Sequence, residues 1–283
     1  MGKNTMQQPE SPKFITRDEA RVRWLNSLEE CDMRRYFKSG LKAHDHALGA
    51  FLRGSLNLIS ARPGVGKTAL LLKLAYLQAL SGVTAFFANL EMNVEQLWNR
   101  LACLHDADLT LRELNEAHFT VDRVKYLISL ADTLSGFSPM FFENSDFISL
   151  VTAAKTDIKP SSDSILFVDY VGLFTMKGLG PQERYWLVSE CAKQLKLLAR
   201  HLDVPIIAAV QLNRQVETRK DKTPTLADLR DSGELEANAD TVFALTREDR
   251  EVLEVECLKN RHGPVGTYSL RFDGPRVALE EFE

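Results

Sequence analysis

Ala61-Arg62-Pro63-Gly64-Val65-Gly66-Lys67-Thr68 lies between an apolar run, Ser55–Ser60, and a helical one, Lys67–Ser81, that Gly82 stops. Strand, glycine-containing loop, Lys-Thr and helix follow in the register that a Walker A loop requires. Gly64 and Gly66 let backbone amides close around phosphate oxygens, and the helix N-terminus adds the positive end of its dipole. In that arrangement Lys67 reaches the β and γ phosphates and Thr68 ligates magnesium, with Arg62, Pro63 and Val65 completing the loop. ATP with Mg2+ is the expected cofactor pair. Ala61 stands where the common pattern has a glycine.

Outward from this loop, Thr84–Asn89, Ser164–Asp169 and Val204–Val210 are further short runs, apolar on both faces and bounded by polar or turn residues. They read as buried strands, and Gln182–His201 reads as a long helix. Strand alternating with helix predicts an α/β fold with a mainly parallel central sheet and helices on both faces. After Asp240 the runs Thr241–Thr246, Val252–Leu258, Thr267–Phe272 and Val277–Leu279 follow closely, which predicts antiparallel C-terminal strands added to that sheet. At the other end, residues 1–15 read as a disordered arm, and Thr16 with Glu19 forms a capping box that opens a helix towards Phe37. Its stripe of Val22, Leu25 and Leu28 suits an ordinary domain helix or an arm docked on a neighbouring subunit. The expected division is an arm at 1–15, a linker helix at 16–38 and a motor domain at 39–283.

Composition narrows the class. At 283 residues, 45% of them hydrophobic, the chain buries a sizeable core. No apolar run reaches about 18 residues and the first twelve residues are polar, so neither a membrane span nor a signal peptide is expected, and a cytoplasmic address is the default. Cys31, Cys103, Cys191 and Cys257 form no CxxC pair, which points to reduced, mostly buried thiols. A net charge of −4 argues against coating nucleic acid by bulk charge and leaves room for a locally basic channel.

The strand ends supply candidates for chemistry. Asp169 closes Ile165-Leu166-Phe167-Val168 as the carboxylate that a phosphate loop needs to hold magnesium. Glu91 follows Thr84–Asn89 where strand C-termini face a nucleotide, the place for a base that activates water. Gln211, ending the run from Pro205, is a γ-phosphate sensor or simply a surface glutamine. Beyond it Arg214, Arg219, Lys220 and Lys222 suit a phosphate backbone as well as they suit plain solvation. Lys259-Asn260-Arg261-His262-Gly263-Pro264 reads as a hairpin tip with two cations, either exposed or inserted into a neighbour's site as an arginine finger.

Taken in order, these motifs resemble the motor domain of the DnaB-type replicative DNA helicases, a RecA-like family of P-loop NTPases. The resemblance runs from about Phe37 to the C-terminus. It rests on Ala61-Arg62-Pro63 leading into Gly66-Lys67-Thr68, Asn89-Leu90-Glu91-Met92, Val168-Asp169-Tyr170, and Val204-Pro205-Ile206-Ile207 with Gln211-Leu212-Asn213-Arg214. Leu229-Arg230-Asp231-Ser232-Gly233 with Glu236 and Asp240, and Lys259-Asn260-Arg261, complete it. The resemblance implies that alanine at 61 is usual, that Glu91 is the catalytic glutamate, Asp169 the magnesium aspartate and Gln211 the sensor. It implies that Lys259 and Arg261 are supplied in trans within a homo-oligomeric ring, usually a hexamer. It further implies that Arg230, Asp231 and Gly233 line a channel gripping single-stranded DNA, and that a helicase loader is a candidate partner.

Three departures qualify it. Fewer than 40 residues precede the motor where the family usually has a collar domain, which argues against primase recruitment and for a compact phage, plasmid or accessory helicase. Asp231 replaces the commoner glutamate, and Val171-Gly172 follow Tyr170 where Leu-Gln is usual. The competing reading is a RecA-like filament-forming or regulatory DNA-dependent ATPase without processive unwinding.

Overall fold

The computed structural model describes residues 15–29, 36–178, 183–213, 216, 219, 223–229 and 232–282. The chain divides into two units, Met1–Arg35 and Tyr36–Glu283. In the first, helix α1 spans Arg17–Glu29. It opens on the expected capping box, with the Thr16 amide donating to Glu19 Oε2 at 2.7 Å and the Glu19 amide to Thr16 Oγ1 at 3.2 Å. The helix does not extend to Phe37, because Tyr36–Phe37 is a strand, β1.

In the second unit β1 pairs antiparallel with β2 (Phe51–Leu52), with α2 (Lys42–Leu48) between them in sequence. Then come β3 (Leu56–Ala61), α3 (Lys67–Leu80), β4 (Thr84–Asn89), α4 (Val94–His105), α5 (Leu111–Glu116), α6 (Val121–Ser135), β5 (Met140–Phe142) and α7 (Phe147–Asp157). The chain continues through β6 (Ser164–Asp169), α8 (Arg184–Leu202), β7 (Ile206–Gln211), α9 (Ser232–Asn238), β8 (Thr241–Thr246), β9 (Val252–Asn260), β10 (Thr267–Asp273) and β11 (Ala278–Glu280).

One sheet takes β3 to β11 in the order β11-β10-β9-β8-β3-β7-β6-β4-β5. From β8 to β5 every pairing is parallel, while β9, β10 and β11 join antiparallel. This is the α/β arrangement expected from the alternation of runs. The period of two in each strand divides the core. Ile59, Phe87, Phe167 and Ile207 face a cluster shared with α3 and α4, whereas Leu58, Ala88, Val168 and Ala208 face one shared with α7 and α8. Phe87 and Phe167 stack at 6.1 Å between centroids. The central strands are apolar on both faces because helices cover both.

The stretch from Glu91 to Ser164 adds α4 to α7 and the edge strand β5, none of which stands out as a strand-helix alternation in the sequence. Cys103, Cys191 and Cys257 are buried and free, and burial pushes their thiols up to about 11, 12 and 11. Cys31 lies outside the described residues. Among the described residues no helix is long and apolar enough to cross a membrane.

Candidate active site

The parallel pairings bring the C-terminal ends of β3, β4, β6 and β7 to one edge of the sheet. Ala61 is the register partner of Gln211, and Asn89 that of Asp169. Gly64 and Gly66, at φ 76° and 137°, sit in backbone that L side chains rarely adopt, and a Cβ at Gly64 would meet nothing within 4 Å. The loop is thus open on its Gly64 side and free to take a ligand against its backbone.

Lys67 begins α3 and is buried, donating at 3.3 Å to the carbonyls of Ala61 and Arg62. Burial lowers its pKa, the carboxylates of Asp169 and Glu91 oppose that, and Arg62 adds to it. Arg62 in turn donates to the Leu212 carbonyl at 3.0 Å, tying the loop to the end of β7.

Asp169 is fully buried, and neither carboxylate oxygen has a hydrogen-bond partner. Burial pushes its carboxyl up to about 6, against the pull of the Thr68 hydroxyl, which approaches without closing a hydrogen bond, and of Lys67 and Arg100. Two orphaned buried oxygens beside a hydroxyl fit a ligand set for a hard cation. Among the described residues no cluster of three His, Cys, Asp or Glu could hold a metal by itself.

Glu91 is exposed, one turn ahead of α4. The turn is pinned by Asn89, whose Nδ2 donates to the Met92 carbonyl and whose Oδ1 accepts the Met92 amide at 3.3 Å. Asn93 then caps α4 in a reciprocal box with Gln96.

Two residues at this edge escaped the sequence reading. Arg100, on α4, has its pKa lowered by burial, and the carboxylates of Asp169 and Glu91 oppose that only in part. Arg247, just past β8, donates to the Gly64 carbonyl at 2.9 Å and lies 4.1 Å over the Phe272 ring. The signal for Arg247 was an arginine ending a strand; for Arg100 there was only its position on an amphipathic helix.

Lys259 and Arg261 are not part of this edge. Thr241 pairs with Asn57 at the start of β3 and with Asn260 at the end of β9, so both cations sit at the opposite end of the sheet. Ala61 is four residues further along β3 from Asn57, roughly 13 Å at strand rise.

Gly233 is exposed in the first turn of α9, while Arg230 and Asp231 lie outside the described residues, as do Arg214, Lys220 and Lys222. Arg219 donates to Asp228 at 2.6 Å, and Asp228 also accepts from Thr225, so this cation clips the loop to itself.

Comparison with known proteins places this edge in context. The DnaB-like helicase C terminal domain family matches residues 37–281. The replicative DNA helicase DnaC of Bacillus subtilis is 34% identical over 246 residues, covering 83% of this chain and 54% of that protein. The replicative DNA helicase DnaB of Geobacillus stearothermophilus is 32% identical over 246 residues with the same two coverages. The chain therefore spans about half the length of the curated relatives it matches. The solved ATPase domain of G40P superimposes with a TM-score of 0.83 at 29% identity, over 96% of this chain and 100% of that one. A DnaB-like replicative helicase whose structure was described with its primase interactions gives 0.81 at 28% identity, over 97% of this chain and 69% of that one.

Proposed function

The chain belongs to the DnaB-like helicase C terminal domain family, and from that premise we propose that it is an ATP-driven, ring-forming motor that translocates on single-stranded DNA during replication. The observation behind this reading is the division of the site. Lys67, Thr68, Glu91, Asp169 and Gln211 share one edge of the sheet, and the cations Lys259 and Arg261 stand at the other, out of reach of their own phosphate loop. A complete site then needs a second copy of the chain.

In this reading the amides of Gly64 to Thr68, with Arg62, Pro63 and Val65, seat the phosphates of ATP. Lys67 leaves its two loop carbonyls, long at 3.3 Å, for the β and γ phosphates. Thr68 and Asp169 hold Mg2+, whose charge neutralises the phosphate oxygens. Glu91 takes the proton of the attacking water, and Gln211, beside Ala61, registers the γ-phosphate. Lys259 and Arg261 of the next subunit stabilise charge that develops on the transferred group.

The channel grip falls to Arg230, Asp231 and Gly233, and a hexamer served by a loader is the assembly we favour. We assign the motor to 39–283 and to 16–38 a linker that opens with helix α1, in a cytoplasmic protein.

The test is ATPase turnover with and without single-stranded DNA, fork unwinding, and particle shape in electron micrographs. DNA-stimulated turnover, unwinding and closed rings are expected. Rings that show neither activity overturn the proposal, and helical filaments on DNA favour a RecA-like ATPase without processive unwinding.

A further inference from the structure

Lys259 and Arg261 rest on the last turn of α9. Lys259 Nζ donates to the Glu236 carbonyl, and Arg261 Nη2 donates to the Ala237 carbonyl at 2.7 Å. Two residues past α9 stands Asp240, whose side chain is 5% exposed. Its Oδ2 accepts the Leu56 amide at 2.7 Å and Lys196 Nζ at 2.6 Å. Its Oδ1 faces Arg261 Nη1 at 3.8 Å and His262 Nε2 at 3.4 Å. The backbones are joined as well, since the Asp240 amide donates to the Leu56 carbonyl at 2.8 Å and the Arg261 amide to the Asp240 carbonyl at 2.9 Å.

One oxygen of this carboxylate is therefore fixed to the start of β3, and the other looks at the hairpin cations. We infer that Asp240 is a positioning residue that holds Arg261 in the pose presented to the next subunit. The inference rests on the reading of Lys259 and Arg261 as cations supplied in trans.

Four features support it. Asp240 cannot swing with the hairpin, because Leu56 and Lys196 hold it from the core side. The Arg261 contacts engage Nη1 and Nη2 only in part, and a guanidinium with five donors keeps capacity for phosphate oxygens. A mobile arginine would have to be ordered at each turnover, whereas one held between Ala237 and Asp240 is already oriented. Leu56 also opens the strand that ends in the phosphate loop, so a single rigid strand presents the subunit's own loop at one end and braces the cation for its neighbour at the other.

The experiment separates this from the trans reading itself. Subunits with Lys67→Ala, which lack a working phosphate loop but keep the cations, are mixed with Arg261→Ala subunits and ATP turnover is measured. The mixture is then repeated with Lys67→Ala/Asp240→Asn as the donor. The first mixture is expected to regain turnover, and the second to regain at least about tenfold less, with the KM for ATP unchanged. Equal recovery in both overturns the role of Asp240 and leaves the trans cations standing. Recovery in neither overturns the trans reading and the inference with it.

A structural defect is distinguished by mixing Asp240→Asn with Lys67→Ala. The first subunit's own phosphate loop then receives an intact cation, so turnover returns if Asp240 acts only through Arg261, and failure to return overturns the inference. Should Asp240→Asn not assemble, Asp240→Ser, which keeps an acceptor for the Leu56 amide, enters the same mixtures.

Discussion

Asn89 and Asp169 are register partners at the ends of β4 and β6, and the Leu90 amide donates to the Asp169 carbonyl at 2.9 Å. This pairing aligns the proposed base and the proposed metal ligand. Asp169 is held in the sheet itself, while Glu91 stands two residues beyond the sheet on a turn that the Asn89 side chain closes through two hydrogen bonds to the Met92 backbone.

Glu91→Gln keeps the shape of that turn and removes the proposed base. Nucleotide affinity is expected to stay within about twofold, and turnover to fall by roughly 10²- to 10⁴-fold. Fluorescent-nucleotide titration beside steady-state ATPase decides it, and near wild-type turnover would remove Glu91 from the role.

Gly66→Ala tests the loop backbone. At φ 137° an L residue is strained, while the added Cβ would stand 3.5 Å from Leu253 Cδ1, an ordinary contact. The cost is conformational rather than steric, about 1 to 3 kcal/mol, and phosphate binding should weaken with it. Urea unfolding and nucleotide titration read the two effects, and an unchanged midpoint would contradict the strain.

Asn93→Ala removes the cap of α4, whose side chain accepts the Gln96 amide at 2.9 Å. A loss of about 1 kcal/mol is expected. Because α4 also bears Arg100, the KM for ATP should rise in the same variant. A stability loss without any change in KM would separate the helix from the site.

His44 gives the pH dependence. It is buried against Phe51, Phe243 and Tyr268, and burial pushes its pKa down to about 4 from 6.5, partly opposed by Asp45. Between those two values the unfolded chain binds the proton that the folded one refuses, so stability rises with pH across the window. The contribution is complete above pH 6.5 and is lost as pH falls towards 4, on the order of 3 kcal/mol. Chemical denaturation of wild type and His44→Gln at pH 7 and pH 4.5 checks it. Equal slopes in the two proteins would show that His44 does not titrate in this way.

Several features of the molecule are legible in the chain because they are local. The Ala61 to Thr68 loop, the apolar runs on either side of it and the polar residue closing each run follow from backbone permissiveness, strand period and helix capping within about twenty residues. Runs apolar on both faces also announced a sheet covered by helices, and the closely spaced strands after Asp240 announced the antiparallel extension. The segment between Glu91 and Ser164 gave no such signal, since short helices and the three-residue strand β5 are defined by what they pack on.

Which ends meet is a different matter, because strand order and register arise from pairings between residues far apart in sequence. The chain determined by itself that there is a glycine-containing loop of Walker A pattern, an aspartate closing one strand and a glutamate following another. Tertiary structure alone decided that Asn89 lies beside Asp169, that Arg247 reaches the Gly64 carbonyl, and that Lys259 and Arg261 stand at the far end of β3 from the loop. The antiparallel return of β9 along β8 puts them there, since a chain that runs back along its neighbour delivers its last residues to the neighbour's first.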